Sequence, residues 1–393
     1  MSRASAAVAI VLVIVIGLAA LYYEGDVKMN SGGMSTVSEP LSSVSGNSSV
    51  VTGTNSSTQT VPVSSTGSSS ASNPLFVGNS STIGYPANYG ALANFTLALI
   101  NKDRAAASLA PVTLSTVPSG QQHADSMSYY GYFSHWDNQG YKPYMRYSLL
   151  GGTGGVSENV AEGSCTDSSW QRVRPCTVQT IENSLNDSEW QMMNNDSICC
   201  SNGHRENILN PLHNRVSIGV AYNPTTQVAY LVEDFEDDYI SSGSLQLSGG
   251  VVTFQGSTQQ DLTGWTGGSS GAEISVYYDA TPLGIPVGDL NPKATCTQYS
   301  ELNEPASCKY QGAYGQGTEL TTVLAPCPGE YVCASGNFTY AQTWQQGNGK
   351  FDIVFSIEQL EAANGSGVYT FYLWPDNDST TPITSLSVFV PGP

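Results

Sequence analysis

All four histidines of this 393-residue chain lie between residues 123 and 213. Two of them sit in turn-like settings from which an imidazole can reach a cleft: His135 in Phe133-Ser134-His135-Trp136-Asp137, and His204 in Asn202-Gly203-His204-Arg205. Glu158 falls between them, in Ser157-Glu158-Asn159-Val160-Ala161, behind a glycine-rich loop. Two imidazoles and a carboxylate suit a divalent transition metal such as Zn²⁺, with one position left for water. The same trio suits general acid–base work. Spacings this long make a site only where the fold converges them. His123 is expected to pack at a helix flank, and His213, after Pro211-Leu212, to be a surface loop residue. Ser134 and Ser157 precede the site residues, yet no Gly-x-Ser-x-Gly elbow marks either as a nucleophile, and no His-Glu-x-x-His is present. The run Glu233-Asp234-Phe235-Glu236-Asp237-Asp238 lacks the spacing and central glycine of a calcium loop, so it reads as a solvated strand end.

The elements that must position these residues follow from periodicity. Apolar spacing predicts helices from Tyr89 to about Pro111, over Gln121–Tyr130 and over Val178–Met193. Arg215–Asn223 and Thr226–Phe235 alternate like two strands joined across Asn223-Pro224-Thr225. Helices first and a short antiparallel sheet after them describe an α+β domain. Beyond Ser242-Gly243, β runs recur at Val251–Phe254, Glu273–Tyr278, Phe351–Ile357, Val368–Trp374 and Ser385–Val390, with a helical turn expected only near Glu358–Ala363. Turn-rich connections between such runs predict an all-β sandwich. It holds no histidine, and no catalysis is expected there.

In order, Leu99-Ile100-Asn101-Lys102-Asp103-Arg104, His123-Ala124-x-x-Met127, Phe133-Ser134-His135, Arg146, Ser157-Glu158-Asn159-Val160-Ala161-x-Gly163, Gly203-His204-Arg205-x-Asn207-Ile208-Leu209 and Gly219-Val220-Ala221 resemble the CAP superfamily, also called SCP or PR-1-like, in its prokaryotic YkwD-type branch. The resemblance covers residues 89–240. It implies an α-β-α sandwich with a solvent-open central cavity carrying two histidines and one or two glutamates, which in several members bind a divalent cation. By motif, the metal- or ligand-binding positions here are His135, Glu158 and His204. The second cavity glutamate of the family, three residues after a tryptophan, is replaced: Trp190 is followed at that distance by Met193. Glu182 and Glu189, one heptad apart, fit a shared helix face but not the motif.

Composition bounds the partners. The chain carries 13 Lys+Arg against 32 Asp+Glu, a formal charge of −19, with only 11% charged residues. So few bases cannot form a phosphate-neutralising face, which excludes nucleic acid and a basic lipid-binding surface. A surface so poor in charge changes little when carboxylates protonate, which suits an acidic exterior. No charge occurs from Ala4 to Tyr23, and twenty helical residues reach about 30 Å, the thickness of a bilayer core. Residues 1–25 are therefore expected to be an uncleaved signal anchor, with Arg3 inside and the remainder outside; Gly17-Leu18-Ala19 offers a small-residue cleavage site, and cleavage there would make the chain secreted. Residues 26–86, rich in Ser, Thr, Asn and Gly, are expected to be a disordered stalk. The CAP-like domain then spans 87–242 and the β-sandwich 243–393. Eight cysteines fall in two blocks of four, at 165, 176, 199 and 200 and at 296, 308, 327 and 333. They read as disulfides of an exported chain, with Cys296–Cys308 and Cys327–Cys333 the local solutions. Nine Asn-x-Ser/Thr sequons make it a candidate glycoprotein. The leading expectation is a non-catalytic, membrane-anchored surface protein that binds a small-molecule, lipid or cell-surface ligand, or Zn²⁺ or another divalent cation. The alternatives are an extracellular metal-dependent hydrolase, in which Glu158 serves a metal-bound water, and an adhesive protein with a vestigial cavity.

Overall fold

The computed structural model describes residues 26–28, 59–62, 89–165, 176–196, 202–223, 225–264, 271–291, 309–310, 314–327, 338–376 and 381–391. The expected anchor over residues 1–25 and most of the expected stalk lie outside the described residues. Among those described, no helix is long and apolar enough to cross a membrane.

The first region is built from helices α1 (Tyr89–Ala106), α2 (Ser119–Tyr130), α3 (Pro143–Leu149), α4 (Val178–Asn194) and α5 (Gly203–Ile208) around a mixed sheet. The sheet's strands are β1 (Asp26–Lys28), β3 (Thr113–Leu114), β4 (Gly155–Ser164), β5 (Arg215–Asn223) and β6 (Val228–Asp237), in the order β1-β4-β6-β5-β3. Local signals set the helix ends. Pro143 opens α3 with its φ already helical. A reciprocal Thr177–Thr180 capping box starts α4. Gly131, at φ 71°, closes α2 in the left-handed conformation that glycine tolerates.

Because strand side chains alternate, the sheet has two distinct apolar faces. Ala229, Leu231 and Phe235 of β6 pack with Leu92 and Ile100 of α1 and with Ile181, Leu185 and Met192 of α4. Tyr230 and Val232 point the other way, to Ala124 and Met127 of α2 and to Tyr144 and Met145 of α3. Helices thus cover both faces. One contact is unusually close: a Cβ at Gly219 of β5 would stand 2.0 Å from the Gly120 carbonyl oxygen of α2, and one at Gly120 would stand 2.4 Å from the Ser217 oxygen. This pair of glycines lets α2 lie directly on β5.

The remaining strands are β2 (Gln59–Pro62), β7 (Ile240–Ser248), β8 (Val251–Thr258), β9 (Glu273–Ala280), β10 (Thr318–Leu324), β11 (Phe338–Tyr340), β12 (Thr343–Gly347), β13 (Lys350–Ser356), β14 (Gly367–Trp374) and β15 (Thr384–Val390). They form two five-stranded sheets, β11-β10-β9-β14-β15 and β12-β13-β8-β7-β2. Phe254, Phe351 and Ile353 of one sheet share a single apolar core with Ile274, Phe371 and Leu386 of the other. The short helices α6 (Val287–Leu290) and α7 (Glu358–Asn364) complete this region.

Within the stretch expected to be a stalk, two segments add strands to open edges. Asp26–Lys28 runs parallel to Val160–Glu162, and Gln59–Pro62 antiparallel to Ser244–Leu247. An edge strand offers a row of unpaired backbone donors and acceptors, which is what such segments satisfy. Cys165 and Cys176 form a disulfide that closes the connection between β4 and α4. Cys327 is also disulfide-bonded, and no free cysteine occurs among the described residues. Cys199, Cys200, Cys296, Cys308 and Cys333 lie outside them.

The two regions are not beads on a string. Ile285, Leu290, Tyr314 and Val368 join the apolar cluster of α2 and α3. Lys142 pairs with Asp279 at 2.8 Å, and the Tyr144 hydroxyl donates to the same carboxylate at 2.6 Å. Ser148 of α3 accepts from the Ser387 amide of β15 at 3.0 Å.

Candidate functional site

Glu158 lies on β4 between Val156 and Val160, and all three face α2 and α3. Its carboxylate is fully engaged. Oε2 accepts from Arg146 Nη2 at 2.6 Å and lies 2.8 Å from His123 Nδ1, and Oε1 accepts from His135 Nδ1 at 2.9 Å. A carboxylate only accepts, so His135 carries its proton on Nδ1, while His123 Nδ1 stands between the Glu158 acceptor and the Arg146 Nη2 donor, 2.9 Å away. Arg146 arrives from α3, and its Nη1 also donates to the carbonyls of His135 and Tyr141 at 2.8 Å. The guanidinium therefore fixes the loop that carries His135.

Every member of this cluster is at most 2% exposed. Burial pushes the Glu158 carboxyl up, but the Arg146 charge, then His123 and the two imidazole hydrogen bonds, outweigh it and hold the group well below the usual carboxylate range. Burial, and then the neighbouring Arg146, lowers His123 to about 4, so its ring is neutral at pH 7. Burial would lower Arg146 too, yet Glu158, Asp137 and Asp234 raise it above its ordinary value. The result is one compensated ion pair braced by the neutral His123 ring and by His135.

His135 and Glu158 are brought together as the motif implies; His204 is not brought to them. Asn159, next to Glu158 on the strand, projects to the opposite face, where its Nδ2 donates to the His204 carbonyl at 3.3 Å. His204 Nδ1 is bonded instead to Asp196, whose other oxygen accepts from the Arg205 amide. Among the described residues, no group of three or more His, Cys, Asp and Glu is arranged to hold a metal ion. With Arg146 already against Glu158 and His204 on the other side of the sheet, the trio does not fit a divalent cation.

Nor is the cleft open to solvent, as the resemblance implies. The Tyr314 ring stands edge-on to His135 at 5.5 Å, and Trp136 meets Tyr310 at 5.6 Å. Ser134 donates its hydroxyl to the Tyr310 carbonyl at 2.6 Å. Residues of the second region thus cover the site.

Three other readings are corrected. His123 is a member of the cluster, not a bystander at a helix flank. It sits four residues before Met127 on the buried side of α2, and that spacing was the available signal. His213 is not a surface residue: it is 2% exposed, stacks on Phe235 and contacts Asp237 Oδ1 at 2.8 Å. The acidic run is not a solvated strand end, because β6 is the middle strand between β4 and β5 and both its faces are covered. Glu233, Asp234, Glu236 and Asp237 are all at most 1% exposed. Glu236 accepts from the Tyr147 hydroxyl at 3.1 Å, and burial pushes it up to about 7. Of the two helix-face glutamates, Glu189 of α4 is buried and Glu182 is partly exposed. Arg104, quoted only as motif, is fully buried and donates to the carbonyls of Ala110, Ile208, Asn210 and His213, fixing the turn between α5 and β5.

Residues 97–235 match the family model described as "CAP: Cysteine-rich secretory protein family", and this part of the chain is a CAP domain. Among solved structures the chain is similar to an extracellular protein containing a SCP domain from Bacillus anthracis str. Ames, at 20% identity over 38% of this chain and 41% of that one, with a TM-score of 0.26. It is also similar to the CAP domain of Enterococcal PrgA, at 14% identity over 39% of this chain and 64% of that one, with a TM-score of 0.27. The chain spans less than two thirds of the length of either. No curated protein matches it.

Proposed function

We propose that this chain is an exported, membrane-anchored surface protein whose CAP domain binds a partner and performs no catalysis at the His135–Glu158 cluster. One observation carries the reading: the motif carboxylate, Glu158, is neutralised by Arg146, contacted by two imidazoles and shut away from water. A general base needs a free lone pair within reach of its substrate, and Glu158 has spent both oxygens inside the protein. The cluster therefore serves as an internal brace. Export is supported by the Cys165–Cys176 disulfide. The exposed positions of the sequon residues Asn94, Asn186 and Asn195 are consistent with it. The ligand, a small molecule, lipid or cell-surface component, is taken on the outer surface. An open groove of about 430 Å³ beside α5, lined by Asn202, Arg205, Glu206, Leu209, Asn210 and Pro211, offers mixed polar and apolar contacts for it.

Elemental analysis and Zn²⁺ calorimetry on the purified protein, with His135→Ala and His204→Ala in parallel, test the reading. The expected result is no stoichiometric metal in any of the three. Stoichiometric Zn²⁺ lost in both variants, or peptide hydrolysis abolished by a chelator and by Glu158→Gln, would overturn it.

A further inference from the structure

On the face of the sheet opposite Glu158, two carboxyl groups meet. Glu233 projects from β6 and Glu189 from α4; they are 0% and 2% exposed. Glu233 Oε2 accepts from Asn159 Nδ2 at 3.3 Å, and Asn159 is itself fixed by Asn207 Nδ2 at 2.9 Å. Glu233 Oε1 and both oxygens of Glu189 are buried with no donor among the described residues. The two side chains are each other's neighbours. As two carboxylates they have only acceptors to offer; with one proton between them the contact becomes an O–H···O⁻ hydrogen bond.

We propose that Glu189 and Glu233 share a single proton, and that this carboxyl pair is an acid-closed latch holding α4 to the central sheet. The surroundings contain no cation in contact with either carboxylate among the described residues. From α1, Asp103 adds further repulsion at Glu189, and Lys102 and Arg205 act on Asp103. From β4 comes the neutral Asn159. From α5 come the amide of Asn207 and also His204, whose backbone carbonyl receives Asn159 and whose ring is occupied by Asp196. Met192, one turn after Glu189, packs into the same apolar cluster. Burial first, and then the mutual repulsion, pushes Glu189 upward, and burial pushes Glu233 upward as well. When the shared proton leaves to solvent, two negative charges remain in an apolar wall, and the cheapest relief is to move α4 away. The latch is therefore closed in acid and strained as the medium becomes neutral or alkaline.

Thermal unfolding of the full-length protein from pH 5 to pH 8, together with hydrogen exchange at the α4 amides corrected for intrinsic rate, tests the latch. The wild type is expected to lose at least about 5 °C of midpoint over this range, with protection of α4 falling ahead of that of β5. Glu233→Gln and Glu189→Gln each supply a neutral amide that can donate to the remaining carboxylate. Either variant should flatten the slope, restore α4 protection at pH 8 and unfold above the wild type there. A wild-type midpoint that is level or rises toward pH 8 overturns the proposal even if both variants fail to fold. So does an unchanged slope in both variants, because Asp137, Asp234 and Glu236 would then account for it.

Discussion

At the scale of single residues, Arg146 carries more of this fold than any motif histidine. Removing it leaves Glu158 charged, buried and uncompensated, which typically costs about 3–5 kcal/mol. Arg146→Met is expected to lose that much in chemical denaturation, and Glu158→Gln a comparable amount, because it strands the Arg146 charge and puts an amide nitrogen, which cannot accept, where an oxygen met a donor. The double variant should recover part of the single Arg146 loss, since the stranded charge is then gone. His123 contributes in the same place with an opposite dependence on pH. Its pKa is about 4 when folded against 6.5 when free, so the unfolded chain takes a proton that the native state refuses. Its contribution is intact above pH 6.5 and is lost as the pH falls toward 4. An NMR titration following the His123 ring should show it neutral down to about pH 5. A ring that charges near pH 6.5 would place it outside the cluster.

At the scale of elements, the contact of α2 with β5 depends on having no side chain at Gly120 or Gly219. Gly219→Ala inserts a methyl 2.0 Å from a carbonyl oxygen that cannot swing away. It should cost at least about 1–3 kcal/mol, as forced overpacking does, and a Tm drop of several degrees would show it. Gly151 has open space around it, and because its φ is 86°, a substitution there tests backbone strain alone. Much at this scale was legible from residue order. The helices at 89, 121 and 178, and the strands at 215, 251, 273, 351, 368 and 385, began within three residues of their observed starts, because each is a periodic or continuous apolar run bounded by turn residues. α3 was not legible, since its buried Tyr144, Met145, Arg146 and Tyr147 leave no polar face to mark a period. Strands β10 and β12 were missed because Thr, Glu and Gln predominate in them, and β11 because its three residues are too few to show a period. At the candidate site, His135 and Glu158 were legible from motif. Their separation from His204 was not, for it turns on strand parity: Glu158 and Asn159 are neighbours in sequence and lie on opposite sides of a sheet.

At the scale of the whole molecule, burial of acids sets the response to pH. Burial pushes Asp137 to about 6 and Glu236 to about 7, from ordinary values of 3.8 and 4.5. Such groups stabilise the native state below the free value and withdraw that stability as the pH rises through the folded one. They outnumber His123, so the midpoint should be highest near pH 4–5 and decline toward pH 8, in keeping with the low surface charge. The shared wall of Tyr310, Tyr314, Lys142 and Asp279 predicts a further outcome. Calorimetry should give one cooperative transition, and residues 87–242 expressed alone should melt lower and bind hydrophobic dye; two well-separated transitions would mean the wall carries little. That wall also bears on heredity. Trp136, Tyr144 and the covering of His135 are finished by residues more than a hundred positions downstream. A segment cut out at its family boundaries would arrive in a new host with its most aromatic side bare. The two halves are expected to have been inherited, and to have drifted, as one unit.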